Sequence, residues 1–119
     1  MAEYRLGEIE MKFAELIWEK EPVASGELAK LALEHLSWKR TTTYTVLKRL
    51  CEKGIFQNEK GTVTSLISKA VFQAKQSEEF VEDSFDGSLP KFVAAFMNSR
   101  KLSKQEVEEL RRIIDEADM

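Results

Sequence analysis

Cysteine is almost missing from this chain. Cys51 is the only one in 119 residues, so no intrachain disulfide can form and the small secreted scaffolds held by such staples are excluded. Histidine is as scarce, with His35 alone. One imidazole and one thiol are thin material for a metal site, and no metal or cofactor is expected. No apolar run approaches the roughly 20 residues that span a bilayer. Met1 to Leu6 also lacks a basic start followed by an apolar stretch, so neither membrane insertion nor a signal peptide is expected and the cytoplasm is the default compartment. No glycine-rich phosphate loop is present, and Cys51 and His35 have no third orienting group. They read as packed side chains, and the chain is not expected to be an enzyme.

What is present is ordinary for a folded protein: 33% charged and 43% hydrophobic residues, enough for one domain or a small domain with an appended oligomerisation segment. The net charge of -3 argues by itself against a nucleic-acid binder, whose usual footprint is basic. That average hides a division. Residues 1–75 hold twelve Lys or Arg against ten Asp or Glu, whereas residues 76–119 hold six against eleven. Between Trp38 and Lys75, eight cations face only Glu52 and Glu59, so positive potential is concentrated where it can act locally on an anion.

Hydrophobic spacing predicts the elements that carry this charge. Ile9, Phe13, Leu16 and Ile17 mark the inner face of a first helix, closed by Pro22. Ser25 is suited to cap a second helix with Leu28, Leu31, Ala32 and His35 as its inner stripe. After a linker around Ser37, a third helix begins near Thr41, turns Thr43, Val46, Leu47 and Leu50 inward, and stops at Gly54. Two short helices in tight succession, the second one basic, read as a helix-turn-helix. Ile55 and Phe56 then lead through Asn58-Glu59-Lys60-Gly61 into Thr62-Val63-Thr64, a two-stranded hairpin. Three helices and a hairpin make a winged helix, here expected over residues 1–75.

In such a fold the third helix can enter a DNA major groove while the hairpin tip lies against the neighbouring backbone. At about 100° per residue, the side opposite the inner stripe carries Thr41, Thr45, Lys48 and Glu52, with Thr42 and Arg49 on one edge and Tyr44 on the other. Base readout is therefore expected from Thr41, Thr42, Tyr44 and Thr45, and backbone contact from Lys39, Arg40, Lys48, Arg49 and, on the wing, Lys60. A rival reading keeps the winged helix but uses it only as a protein-interaction module. Neutralising Lys39, Arg40, Lys48 and Arg49 separates the two, because only a DNA binder loses affinity and salt dependence.

Residues 76–119 are expected to form a separate helical region. Ser77 is placed to cap a helix with Phe80, Val81 and Phe85. Gly87 breaks it, Pro90 opens another with Phe92, Val93, Phe96 and Met97, and Ser103 to Glu106 fits a capping box before Val107, Leu110, Ile113 and Ile114. Three short helices are too few to close a core alone. A twofold partner that buries these residues across a symmetric interface is the economical solution, with folding back onto the winged domain as the alternative.

At this point the residues resemble a known family. The stretch "EMKFAELIWEKEPVASGELAKLA", the "TTTYTVLKRLCEKGIF" helix and strand, and "FDGSLPKFVAAF" are similar to the penicillinase-repressor family of bacterial regulators, the BlaI and MecI type. Trp18 with Glu19, Trp38, and the run from Thr42 to Gly54 are the most specific parts. The resemblance implies a dimeric winged-helix repressor on a palindromic double-stranded DNA operator, controlling β-lactamase, penicillin-resistance or related stress genes. It also implies release by proteolysis within "KFVAAFMNS", near Ala95-Phe96, through a protease linked to a membrane sensor. A copper-responsive branch of the superfamily carries a cysteine-rich tail; Ser77 to Met119 contains neither Cys nor His, which disfavours that branch.

Overall fold

Phe13, Ala14 and Ile17 form the buried face of α1 (Glu8–Lys20) in the computed structural model, which describes residues 4–117. They meet Leu28 and Ala32 of α2 (Ser25–Leu36) and Val46, Leu47 and Leu50 of α3 (Arg40–Glu52), and Ala29 and Thr43 of the same helices are buried as well. Ile55, Phe56, Val63 and Phe72 complete this core, each fully buried. Apolar burial of this kind is the main force assembling the domain. Aromatic rings stiffen it: Trp18 lies 5.1 Å from Phe56 and 5.4 Å from Phe72, and Phe13 lies 5.0 Å from Trp38.

The wing is a hairpin of β2 (Phe56–Glu59) and β3 (Thr62–Ser65), turned at Lys60 and Gly61. Both turn residues have positive φ, 53° and 88°, which glycine adopts without strain and which suits it to this tip. Asn58 secures the turn by accepting a hydrogen bond from the Gly61 amide at 3.0 Å. A third strand joins them: β1 (Val23–Ala24) pairs antiparallel with β3, giving the order β1-β3-β2. Two residues carry no periodicity that a sequence pattern could register. Trp18 of α1 and Glu21, the residue that caps its carboxyl end, then hold the outgoing end of the wing. The Glu21 carboxylate accepts from the Ser65 amide and hydroxyl at 2.8 Å each, and Trp18 Nε1 donates to the Ile67 carbonyl at 3.1 Å.

Several sequence expectations are corrected here. Ser25 is the first residue of α2 rather than its cap; Ala24 holds that position, and the Ser25 amide donates to Gly61 O of the wing at 2.8 Å. Ile9 is 51% exposed, because the buried arc of α1 is centred between Phe13 and Ala14 and leaves Ile9 at its edge. His35 is exposed for the same kind of reason: the arc of α2 turns toward Ala29 and Leu36 in its last turn.

The third group of helices also differs in its start. Lys69 through Phe85 is one continuous helix, α4, so Ser77 sits in mid-helix and its hydroxyl bonds back to the Gln73 carbonyl at 2.9 Å. The cap is set by Ser68 instead, whose Oγ accepts from the Val71 amide. The expected division at 75/76 falls inside this helix. The chain separates into compact units up to Glu79 and from Phe80 onward.

The second unit contains the end of α4, α5 (Leu89–Ser99) and α6 (Lys104–Ala117). Ser88 caps α5 by accepting from the Lys91 amide, with Pro90 in the first turn. Ser103 and Glu106 close a reciprocal capping box on α6, each accepting the other's backbone amide at 3.1 Å. Phe80, Phe85, Phe92 and Phe96 form a chain of ring contacts between 5.4 and 6.3 Å. No described residue of α5 or α6 is buried.

Candidate nucleic-acid interface

Burial of Thr43, Val46, Leu47 and Leu50 fixes the rotation of α3, and the opposite side is presented outward. Thr41, Thr42, Thr45 and Lys48 are exposed there, with Lys39 and Arg40 at the amino end of the helix. That end carries unsatisfied backbone amides and the positive pole of the helix dipole, so two cations and a dipole share one pole. Thr45 Oγ1 donates to the Thr41 carbonyl at 2.9 Å, and Thr43 Oγ1 donates to the Lys39 carbonyl at 3.3 Å. The first bond holds the Thr45 methyl and hydroxyl in a set orientation on the exposed face. A short side chain in that position lets the backbone approach base edges closely.

Tyr44 and Arg40 act as a pair. The Arg40 guanidinium lies 5.4 Å above the Tyr44 ring, and its Nη2 donates to the phenol oxygen at 3.3 Å. Tyr44 is half-buried against the core, so its ring supports Arg40 more than it reaches outward. Lys60 is carried to the tip of the wing by the β2–β3 turn.

Arg49 is placed differently from the other cations. Its Nη1 is 3.6 Å from Glu10 Oε2 of α1. Lys53, one turn further on, donates from Nζ to the Arg5 carbonyl at 3.0 Å. The α3 wheel sets Arg49 beside Thr42, within reach of phosphates, and gives no sign of its contact with Glu10. The available signal was the position of Glu10 on the inner stripe of the first helix, three residues before Phe13 and seven before Ile17, where an apolar residue is the norm.

Cys51 is half-buried beside a shallow cavity of about 320 Å³ lined by Tyr44, Leu47, Lys48 and Asn58. Burial pushes its thiol pKa up, against a backbone hydrogen bond from Asn58 that lowers it. A thiol held protonated is a poor nucleophile. Among the described residues no three His, Cys, Asp or Glu side chains gather into a metal-binding group, and no helix is long and apolar enough to cross a membrane.

The second unit exposes its apolar side chains. Phe80, Phe96, Met97, Leu110, Ile113 and Ile114 are between 39% and 65% exposed, while Val81, Phe85, Phe92, Val93 and Val107 are half-buried. Between α5 and α6 runs an apolar groove of about 300 Å³. Arg100 spans the connection: its guanidinium lies 5.8 Å above the Phe96 ring, and its Nη2 is 3.2 Å from Glu106 Oε2. The Glu106 carboxyl is held below the ordinary glutamate value, first by the Ser103 backbone amide and also by Arg100. A depressed carboxylate pKa contributes stability above the unfolded value and loses it as pH falls through the folded one. An NMR titration of Glu106 is expected to show a midpoint below the ordinary glutamate range, moving part of the way back up in Arg100→Ala, which removes the guanidinium and leaves the Ser103 backbone amide in place.

The fold and its outward helix define a winged helix-turn-helix protein with a C-terminal helical segment. The family model for penicillinase repressors matches residues 6–116. Over 116 residues the chain is 26% identical to the methicillin resistance regulatory protein MecI of Staphylococcus aureus, covering 94% of each chain. It is 27% identical over 116 residues to the penicillinase repressor of Bacillus licheniformis, covering 94% of this chain and 91% of that one. The chain belongs to the penicillinase repressor family, a family of transcriptional repressors and not of enzymes.

Proposed function

We propose that the protein is a cytoplasmic homodimeric repressor that reads a palindromic operator with α3 and controls β-lactamase, penicillin-resistance or related stress genes. The observation that carries this reading is the coincidence of Thr41, Thr42, Thr45 and Lys48 on the exposed face of α3 with Lys39 and Arg40 at its amino end. Base edges fall to the threonines. Phosphates fall to Lys39, Arg40, Lys48 and the wing's Lys60, and Tyr44 supports Arg40. The names of the relatives, a methicillin resistance regulator and a penicillinase repressor, support the choice of target genes.

The dimer forms through the apolar faces of α5 and α6, which a single chain leaves open. Two linked copies place their α3 helices in major grooves about one helical turn apart on one face of the duplex. Release follows cleavage at Ala95-Phe96 by a protease linked to a membrane sensor. That bond lies within α5, so the helix must unwind locally before a protease can hold it extended.

The test is a mobility-shift series, over a range of salt, on DNA flanking the protein's own gene, with Lys39→Ala/Lys48→Ala alongside. Selective binding is expected, with each lysine removed lowering the salt slope by about 0.9 per protomer. Absence of any selective fragment at low salt would transfer the fold to the protein-interaction reading.

A further inference from the structure

We propose that Arg49 and Lys53 position the recognition helix by gripping the N-terminal segment, and that Glu10 is the residue through which Arg49 does so. The inference rests on the reading of α3 as the DNA-reading helix. Arg49 and Lys53, the residue that caps the carboxyl end of α3, are four residues apart, so they share one flank, roughly 100° around the helix from Thr41 and on the same edge as Thr42. Both are engaged by the same short stretch of chain. Arg49 meets Glu10 at 3.6 Å, and Lys53 donates to the Arg5 carbonyl at 3.0 Å.

The stretch itself is anchored at both ends. Glu10 Oε1 accepts from the Gly7 amide at 3.3 Å, which closes the first turn of α1. Tyr4 and Leu6 pack against the core, and the Tyr4 ring lies 6.0 Å from Phe72 at the start of α4. Residues 4–10 thus form a strap from α4 to the carboxyl half of α3. Glu10 Oε2 is buried and has no hydrogen-bond partner of its own. A buried carboxylate oxygen needs a compensating charge, and Arg49 is the cation beside it. The guanidinium, although its side chain is 54% exposed, is thereby drawn toward α1. Lys39, Arg40 and Lys48 are left as the helix's phosphate contacts.

Charge alone and positioning predict opposite signs for Glu10→Gln. Removing a negative charge near an operator raises affinity if the field is all that matters. Loss of the Arg49 anchor lowers it, because an α3 that rocks on its flank no longer holds the threonines to the bases. The experiment compares Glu10→Gln, Arg49→Ala, the double variant and Lys48→Ala in the full-length protein, with operator titrations across salt.

Glu10→Gln is expected to weaken binding several-fold, up to about tenfold, with its salt slope unchanged. Arg49→Ala should do the same, and the double variant should be no worse than the poorer single. Lys48→Ala alone should shed about 0.9 of slope per protomer. Binding that is unchanged or tightened in Glu10→Gln, or a slope in Arg49→Ala that falls as in Lys48→Ala, overturns the inference and returns Arg49 to the phosphates.

Amide hydrogen exchange without DNA keeps this separate from the repressor reading. If no fragment is bound, that reading fails; the strap still predicts faster exchange across residues 49–53 in each single variant and a double-variant effect smaller than their sum. Unchanged or additive exchange there overturns it.

Discussion

Ending the chain after Ala95 is expected to leave a folded monomer that binds an operator fragment roughly 10²–10⁴-fold more weakly than the full-length protein. Every buried residue of the core lies between Phe13 and Phe72, so the truncation removes nothing that closes the winged domain. It removes Phe96, Met97, Leu110, Ile113 and Ile114, whose exposure in a single chain reaches 65%. A palindromic site gains most of its affinity from the second half-site, which a tethered partner reaches at high effective concentration. Without the tether each domain binds by its own contacts alone. Sedimentation and mobility shift on the same samples decide the matter. A truncated chain that still sediments as a dimer places the interface outside α5 and α6, and an unchanged affinity in a monomer removes the dimer from the mechanism.

The second large effect concerns stability. Phe56→Ala is expected to cost about 3–5 kcal/mol in urea unfolding, a large share of the roughly 5–15 kcal/mol that holds an ordinary domain together. Phe56 is fully buried, opens β2 and sits against Trp18. Its removal leaves a void where α1 meets the wing, and the Trp18 bond to Ile67 limits how far the indole can move to fill it. Ile113→Ala is the control. That side chain is 63% exposed, so its loss should leave the unfolding of the winged domain nearly unchanged while weakening the dimer. A small effect of Phe56→Ala would mean that the site collapses freely, contrary to the close ring contacts around it.

The three-helix core and the wing were legible because their signals are local. Phe13 and Ile17, and Thr43, Val46, Leu47 and Leu50, fall at helical spacing, and Asn58 to Gly61 has turn chemistry. The same holds for the capping box of Ser103 and Glu106 and for the Ser88-Pro90 start of α5, where bonds between near neighbours in sequence do the work. Ser77 misled for a related reason: it is a good cap by composition, yet Phe72 is buried, and that contact draws the helix start back to Lys69.

By itself the sequence determined the order of the three core helices and the wing hairpin, the rotation of α3 about its axis and its outward threonine face. These follow from backbone geometry and apolar spacing within single segments. Only the tertiary structure decided which neighbour covers each flank. Arg49 and Thr42 share an edge of the α3 wheel, and nothing within α3 states that the edge near Arg49 is met by Glu10, 39 residues earlier in the chain. The pairing of β1 with β3, the Glu21 clamp on Ser65 and the Lys53 hold on Arg5 are of the same kind. Each joins segments distant in sequence, where the energy of contact depends on packing that no local pattern encodes.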